Sequence, residues 1–169
     1  MPEFGSDLSH AGGTGTIEPR FDGSGDWLRF RDDAVPDEPA VSLDGFLDQS
    51  NAVSVRIEAG DDVRRLGSVL DRIRLVEIDF PKFRDGRGFS SARILREMGY
   101  TGEIKATGDV LVDLVFFMRR CGFDSFAPDV PFNEADVRAA LSRYPHVYQH
   151  AADAAVPIWQ LRHPDIANG

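Results

Sequence analysis

The sequence predicts an α/β fold: four consecutive βα units carrying a mainly parallel sheet, open or half-barrel-like, behind an irregular N-terminal segment. Two observations predict it. From residue 52 onward, short strand-like runs alternate with helical stretches of about ten to fourteen residues, the pattern of strands joined by right-handed crossovers. The chain has 169 residues, 42% of them hydrophobic. That is enough for one ordinary core and too little for a complete eight-stranded barrel, which takes about 250 residues. The expected domain is 26–163, with a regular βα core over 52–145 and a tail at 164–169.

Residues 1–25 are rich in Gly, Ser, Thr and Pro without an apolar period, and read as flexible or partly vector-derived. Over 26–49, the apolar groups Trp27-Leu28-Phe30 and Val41-Leu43-Phe46-Leu47 flank the turn-rich DDAVPDEPA. They predict a short strand and a helical turn lying against the main body. The core strands are predicted at 53–58 (VSVRIE), 75–80 (LVEIDF), 103–107 (EIKAT) and 124–127 (DSFA). A helix follows each. The first, 61–72, spaces Val63, Leu66, Leu70 and Ile73 behind a capping Asp. The second runs from Ser90 or Ser91 to Met98 and stops at Gly99. The third, 109–120, is apolar on nearly every side, so it is expected to be the most buried. The fourth, 134–143, is capped by Asn133 and ended by Tyr144-Pro145. Beyond it, Tyr148 and Trp159 are expected to cover a sheet edge or to reach another subunit, and a homo-oligomer is compatible with that.

Parallel α/β proteins bind ligands outside the carboxyl ends of their strands. Here that rim gathers Gly60-Asp61, residues 81–90, Thr107-Gly108-Asp109 and Pro128-Asp129. The loop after the second core strand is the longest, and in an acidic chain it concentrates Lys82, Arg84 and Arg87. Gly86 and Gly88 offer backbone freedom, and a helix starting at Ser90 offers N–H groups with partial positive charge. The set Lys82, Arg84, Gly86, Arg87, Gly88 and Ser90 is therefore the candidate site for a small anion or for a partner's carboxylates. The bland alternative pairs these arginines with Asp79, Asp85, Glu97 or Asp109. DGRG is also an ordinary turn, without P-loop or dinucleotide spacing, and Arg93–Glu97 is a surface i,i+4 pair. Asp109 reads first as a helix cap and second as a catalytic carboxylate, with Asp79 as its neighbour. Asp113, on an apolar helix, is expected to face solvent or an arginine. Phe83 and Phe89 either anchor the loop or form the apolar part of a contact surface.

Composition narrows the function classes. A net charge of −9 and a pI near 4.8 oppose nonspecific nucleic-acid binding. Cys121 is the single cysteine; it excludes an intramolecular disulfide, fits a reducing, cytoplasmic setting, and reads as a small buried apolar residue. No Cys or His pair has metal-ligand spacing, no cofactor motif is found, and His10, His146, His150 and His163 lie toward the termini, away from the rim. The sequence lacks the long apolar run of a membrane span and the pattern of a secretory signal, so a soluble protein is expected.

The run FPKFRDGRGFSSARILREMGYTGEIKATGDVLVDLVFFMRRCGFDSF, residues 80–126, closely resembles a bacterial family of uncharacterised proteins found beside sirohaem-type sulfite or nitrite reductases. The resemblance extends to about Tyr148 and is loose over 1–50. The family phrase FPKFxDGRGxS is matched at Pro81, Lys82, Asp85, Gly86, Arg87, Gly88 and Ser90. The resemblance implies an accessory protein of assimilatory sulfite reduction that binds a reductase or electron donor. The alternative is an enzyme or binding protein that holds a sulfate-, sulfite- or phosphate-bearing ligand at the same loop; as an enzyme, the resemblance would make it an oxidoreductase. The family carries no established catalytic residues to transfer.

Overall fold

The computed structural model describes residues 18–23, 25–49, 51–153 and 155–162. Most of the predicted flexible N-terminus, the 164–169 tail, His10 and His163 lie outside them. Seven strands form one sheet: β1 (Arg20–Phe21), β2 (Leu28–Arg29), β3 (Val41–Ser42), β4 (Ser54–Ile57), β5 (Leu75–Phe80), β6 (Glu103–Gly108) and β7 (Ser125–Pro128). Their order is β1-β2-β7-β6-β5-β4-β3. Strands β3 to β7 are parallel and lie in chain order; β1 and β2 add an antiparallel pair on the β7 edge. The fold is thus an open α/β sheet, larger than the four or five strands expected.

Chain-order parallel strands have a consequence. Each right-handed crossover places its helix on the same face as the last. The helices are α1 (Leu43–Asp48), α2 (Arg87–Glu97), α3 (Val115–Cys121), α4 (Glu134–Ser142) and the short α5 (Ile158–Arg162). The apolar face of the sheet, with Leu28, Val55, Ile57, Val76, Ile78, Phe80, Ile104, Ala106 and Phe126, packs into one core with Phe46 of α1, Leu95 of α2, Met118 of α3 and Val137 of α4. The other face carries the alternate residues of the same strands.

On that second face the register aligns Ser42, Arg56, Glu77, Lys105, Ser125 and Arg29 in one row. Glu77 pairs with Lys105 and, at 3.7 Å, with Arg56. Parallel sheets are usually apolar and covered on both faces. This one is polar on the side without helices. The antiparallel extension is held there by Arg29, whose guanidinium donates to Glu103 Oε2 from Nε (3.0 Å) and Nη2 (2.7 Å), while Ser125 donates to Glu103 Oε1 (2.6 Å).

Several helices differ from expectation. The 61–72 helix is two 3-10 turns, Val63–Leu66 and Leu70–Arg72. Asp62 caps the first, and Gly67, a poor helix former, ends it. The third helix starts late: a 3-10 turn at Val112–Leu114 precedes α3. It is not the most buried, because Phe117 and Leu111 are exposed. Asp113 is also exposed and pairs with Arg143 at 3.1 Å. The fourth helix forms as expected, with Asn133 Oδ1 accepting from the N–H groups of Ala135 and Asp136. The segment after it is tied to the end of α3 by Ala152 N–H to Arg120 O and by the Arg120–Asp153 pair. No helix among the described residues is long and apolar enough to cross a membrane.

Candidate functional site

Strand β5 ends at Phe80 and α2 begins at Arg87, so the basic loop is only the six residues between them. This corrects the expectation of an extended loop reaching Ser90, since six lies within the usual two to six for a βα connection. Asp85 starts the helix early. Its Oδ1 accepts from the N–H of Arg87 (3.1 Å) and from Arg87 Nε (2.9 Å), and its Oδ2 accepts from Arg87 Nη2 (2.6 Å). Ser90 consequently sits a turn inside α2 rather than at its start.

The Arg87 hydrogen bonds hold the Asp85 carboxyl down at about 2, and Asp85 in turn raises Arg87 above its ordinary value. Arg87 is thereby committed to a neighbour, as the bland alternative has it. Lys82 and Arg84 are not: both are exposed, and the contact given for Arg84 is its guanidinium 5.3 Å from the centre of the Phe83 ring.

Neither glycine of the loop uses a left-handed backbone. Gly86 has φ −72° and open space around it; Gly88 is helical and lies against β5, where an added Cβ would come within 2.5 Å of the Phe80 ring. The freedom expected of them is replaced, at Gly88, by a packing requirement. Phe80 cannot yield, being buried and packed against Phe89 and Phe123. Phe89 is thus an anchor, whereas Phe83 is 37% exposed.

Asp109 follows β6 and does not cap α3. Its Oδ2 accepts the N–H of Phe83 at 3.0 Å, and its own N–H donates to Phe80 O at 2.8 Å. It therefore braces the basic loop. Asp79 takes a different partner, the hydroxyl of Thr107 at 3.1 Å. Gly108 makes the bend between these groups, with φ +89° and Phe80 O only 2.5 Å from where a Cβ would stand.

A pocket of about 230 Å3 opens between the ends of β4 and β5, lined among others by Glu58, Asp61, Asp79, Asp85, Arg87 and Ser90. Of the candidate residues it gathers Arg87, Gly88 and Ser90; Lys82, Arg84 and Gly86 do not line it. Four carboxylates against one paired arginine make its wall acidic. No group of three or more His, Cys, Asp or Glu among the described residues is arranged to hold a metal ion. Cys121 is half-buried, and burial pushes its thiol up, the opposite of activation.

Sequence reasoning overlooked the Arg56–Glu77–Lys105 row. The signal was present: VSVRIE, LVEIDF and EIKAT place polar residues at alternate positions, where strands buried on both faces read as continuous apolar runs.

Fold and site together define an open, singly wound α/β protein whose sheet is covered by helices on one face and whose strand-end rim carries an outward-facing basic loop. A family model described as a bacterial protein of unknown function (DUF934) matches residues 54–159, and the chain belongs to that family. Neither the curated proteins nor the solved structures provide a match.

Proposed function

We propose that the protein is a noncatalytic accessory factor of assimilatory sulfite reduction, which docks through the loop after β5 onto an acidic surface of the reductase or of its electron donor. The observation that carries this reading is the split of the basic residues. Lys82 and Arg84 are exposed, lie outside the pocket and have no carboxylate partner among the described residues, whereas Arg87 is neutralised by Asp85. Free cations on a rim steer association with a negative partner. The pocket supports the alternative anion-holding reading poorly, because its carboxylates would repel sulfate, sulfite or phosphate.

The sulfite pathway enters through the resemblance of residues 80–126 to proteins found beside sulfite reductase genes. The test is binding of purified sulfite reductase and, separately, of its electron donor, to the wild-type chain and to Lys82→Ala/Arg84→Ala. Binding that weakens on substitution and with added salt supports the proposal. Equal binding by both proteins, or retention of a flavin or iron cofactor by the purified chain, refutes it.

A further inference from the structure

Three neighbouring strands of the sheet end in loops that each expose one large apolar side chain. These are Phe83 after β5, Leu111 after β6 and Val130 after β7, with 37%, 40% and 75% of their surfaces accessible. The loops are laced together at their bases. Asp109 N–H donates to Phe80 O, Asp129 N–H donates to Gly108 O, and Asp109 Oδ2 accepts from Phe83 N–H. They therefore form one continuous rim rather than three independent excursions. Isolated exposed apolar residues need no explanation; one on each of three successive loops at the same end of a sheet does.

We infer that this three-loop rim is a protein-docking surface, with Leu111 and Val130 as its apolar contacts and Lys82 and Arg84 as its charged end, and that it takes an acidic protein whose contact patch has an apolar centre. This rests on the docking role proposed above and extends it to residues on two further loops. Charge selects the occupant. Lys82 and Arg84 are exposed and have no carboxylate partner among the described residues, and Arg84 stacks on Phe83, joining the charged and apolar parts into one amphipathic element. Of the acids on and beside these three loops, Asp85 is engaged by Arg87, Asp109 by the Phe83 backbone and Asp113 by Arg143, and exposed Asp129 follows β7, two strands from β5 in the sheet order.

The two ends of the surface have different kinetic signatures. Charge at a rim mainly sets the association rate and its salt dependence, whereas apolar contacts excluded from water mainly set the dissociation rate. The experiment measures association and dissociation of sulfite reductase on immobilised wild-type chain, on Leu111→Ser/Val130→Ser and on Lys82→Ser/Arg84→Ser, each checked for native melting. The inference expects the apolar pair to dissociate roughly tenfold faster with its salt dependence kept, and the charge pair to associate more slowly with its salt dependence flattened. If only the charge pair matters, the rim inference fails while the docking role stands. If neither pair matters, or the wild-type chain does not bind, both fail. Ultracentrifugation of the free chain adds one more outcome: dimerisation abolished by Leu111→Ser/Val130→Ser would make the occupant a second copy and overturn the acidic partner.

Discussion

Replacing Glu103 with Ala would strike the point where the N-terminal strands join the sheet. Arg29 is 1% exposed and Glu103 is 3% exposed. The guanidinium meets the carboxylate through two N–H groups at 3.0 and 2.7 Å, and Ser125 satisfies the other oxygen. Removing one partner of a buried pair costs about 3–5 kcal/mol, because the remaining charge is left desolvated. Arg29 would retain Asp33 Oδ1 at 2.8 Å and the carbonyl of Asp33 at 2.6 Å, which places the loss near the lower end, about 3 kcal/mol. For a chain of this length that corresponds to a melting temperature lower by roughly 6–12 °C.

Urea unfolding, with hydrogen exchange of β1 and β2, would measure both the loss and its location. The companion Arg29→Met/Glu103→Leu removes the two charges together and is expected to recover at least half of the stability, because no buried charge is left unpaired. A loss below about 1 kcal/mol for Glu103→Ala would refute the reasoning. It would mean that Asp33 and solvent suffice for Arg29 and that the strands are held by other contacts.

Two further outcomes concern the loop. Gly88→Ala is expected to destabilise by about 1–3 kcal/mol through overpacking against Phe80, while Gly86→Ala, with open space and an ordinary helical φ, is expected to be neutral or stabilising by up to about 1 kcal/mol; thermal melts that rank the two the other way would contradict the packing described. Asp85 should titrate near 2 in carboxyl NMR and return toward 3.8 in Arg87→Ala. Because its folded value is depressed, its contribution to stability is present above about pH 4 and fades as pH falls toward 2; as both groups are surface-exposed, that contribution is small.

Much of the core was legible in the sequence. Each of the four long strands carries apolar residues at alternate positions, and Asn133 announces α4 with a side chain that can reach the free N–H groups of the first turn. The place of Lys82 and Arg84 at a strand's carboxyl end also followed from pattern alone. The start of α2 did not. Ser90 and Asp85 are both plausible first-turn acceptors, and only the pairing of Asp85 with Arg87 puts the start at Arg87. The 61–72 helix was misread because its apolar spacing was correct while Gly67 divided it. The apolar groups over 26–49 gave the short strand β2 and the helical turn α1, whereas β1 and β3, two residues each, are too short to leave a periodic signal.

Sequence alone thus settled the alternation of strands and helices, the family phrase and the location of the basic loop, all of which are written in residues a few positions apart. The tertiary structure decided the rest: which face of the sheet takes the helices, how β2 finds β7, and what braces the basic loop. Those depend on partners distant in the chain. Arg29 and Glu103 are 74 residues apart and Phe83 and Asp109 are 26 apart, and such pairs are set by strand order and crossover handedness, which no local pattern encodes.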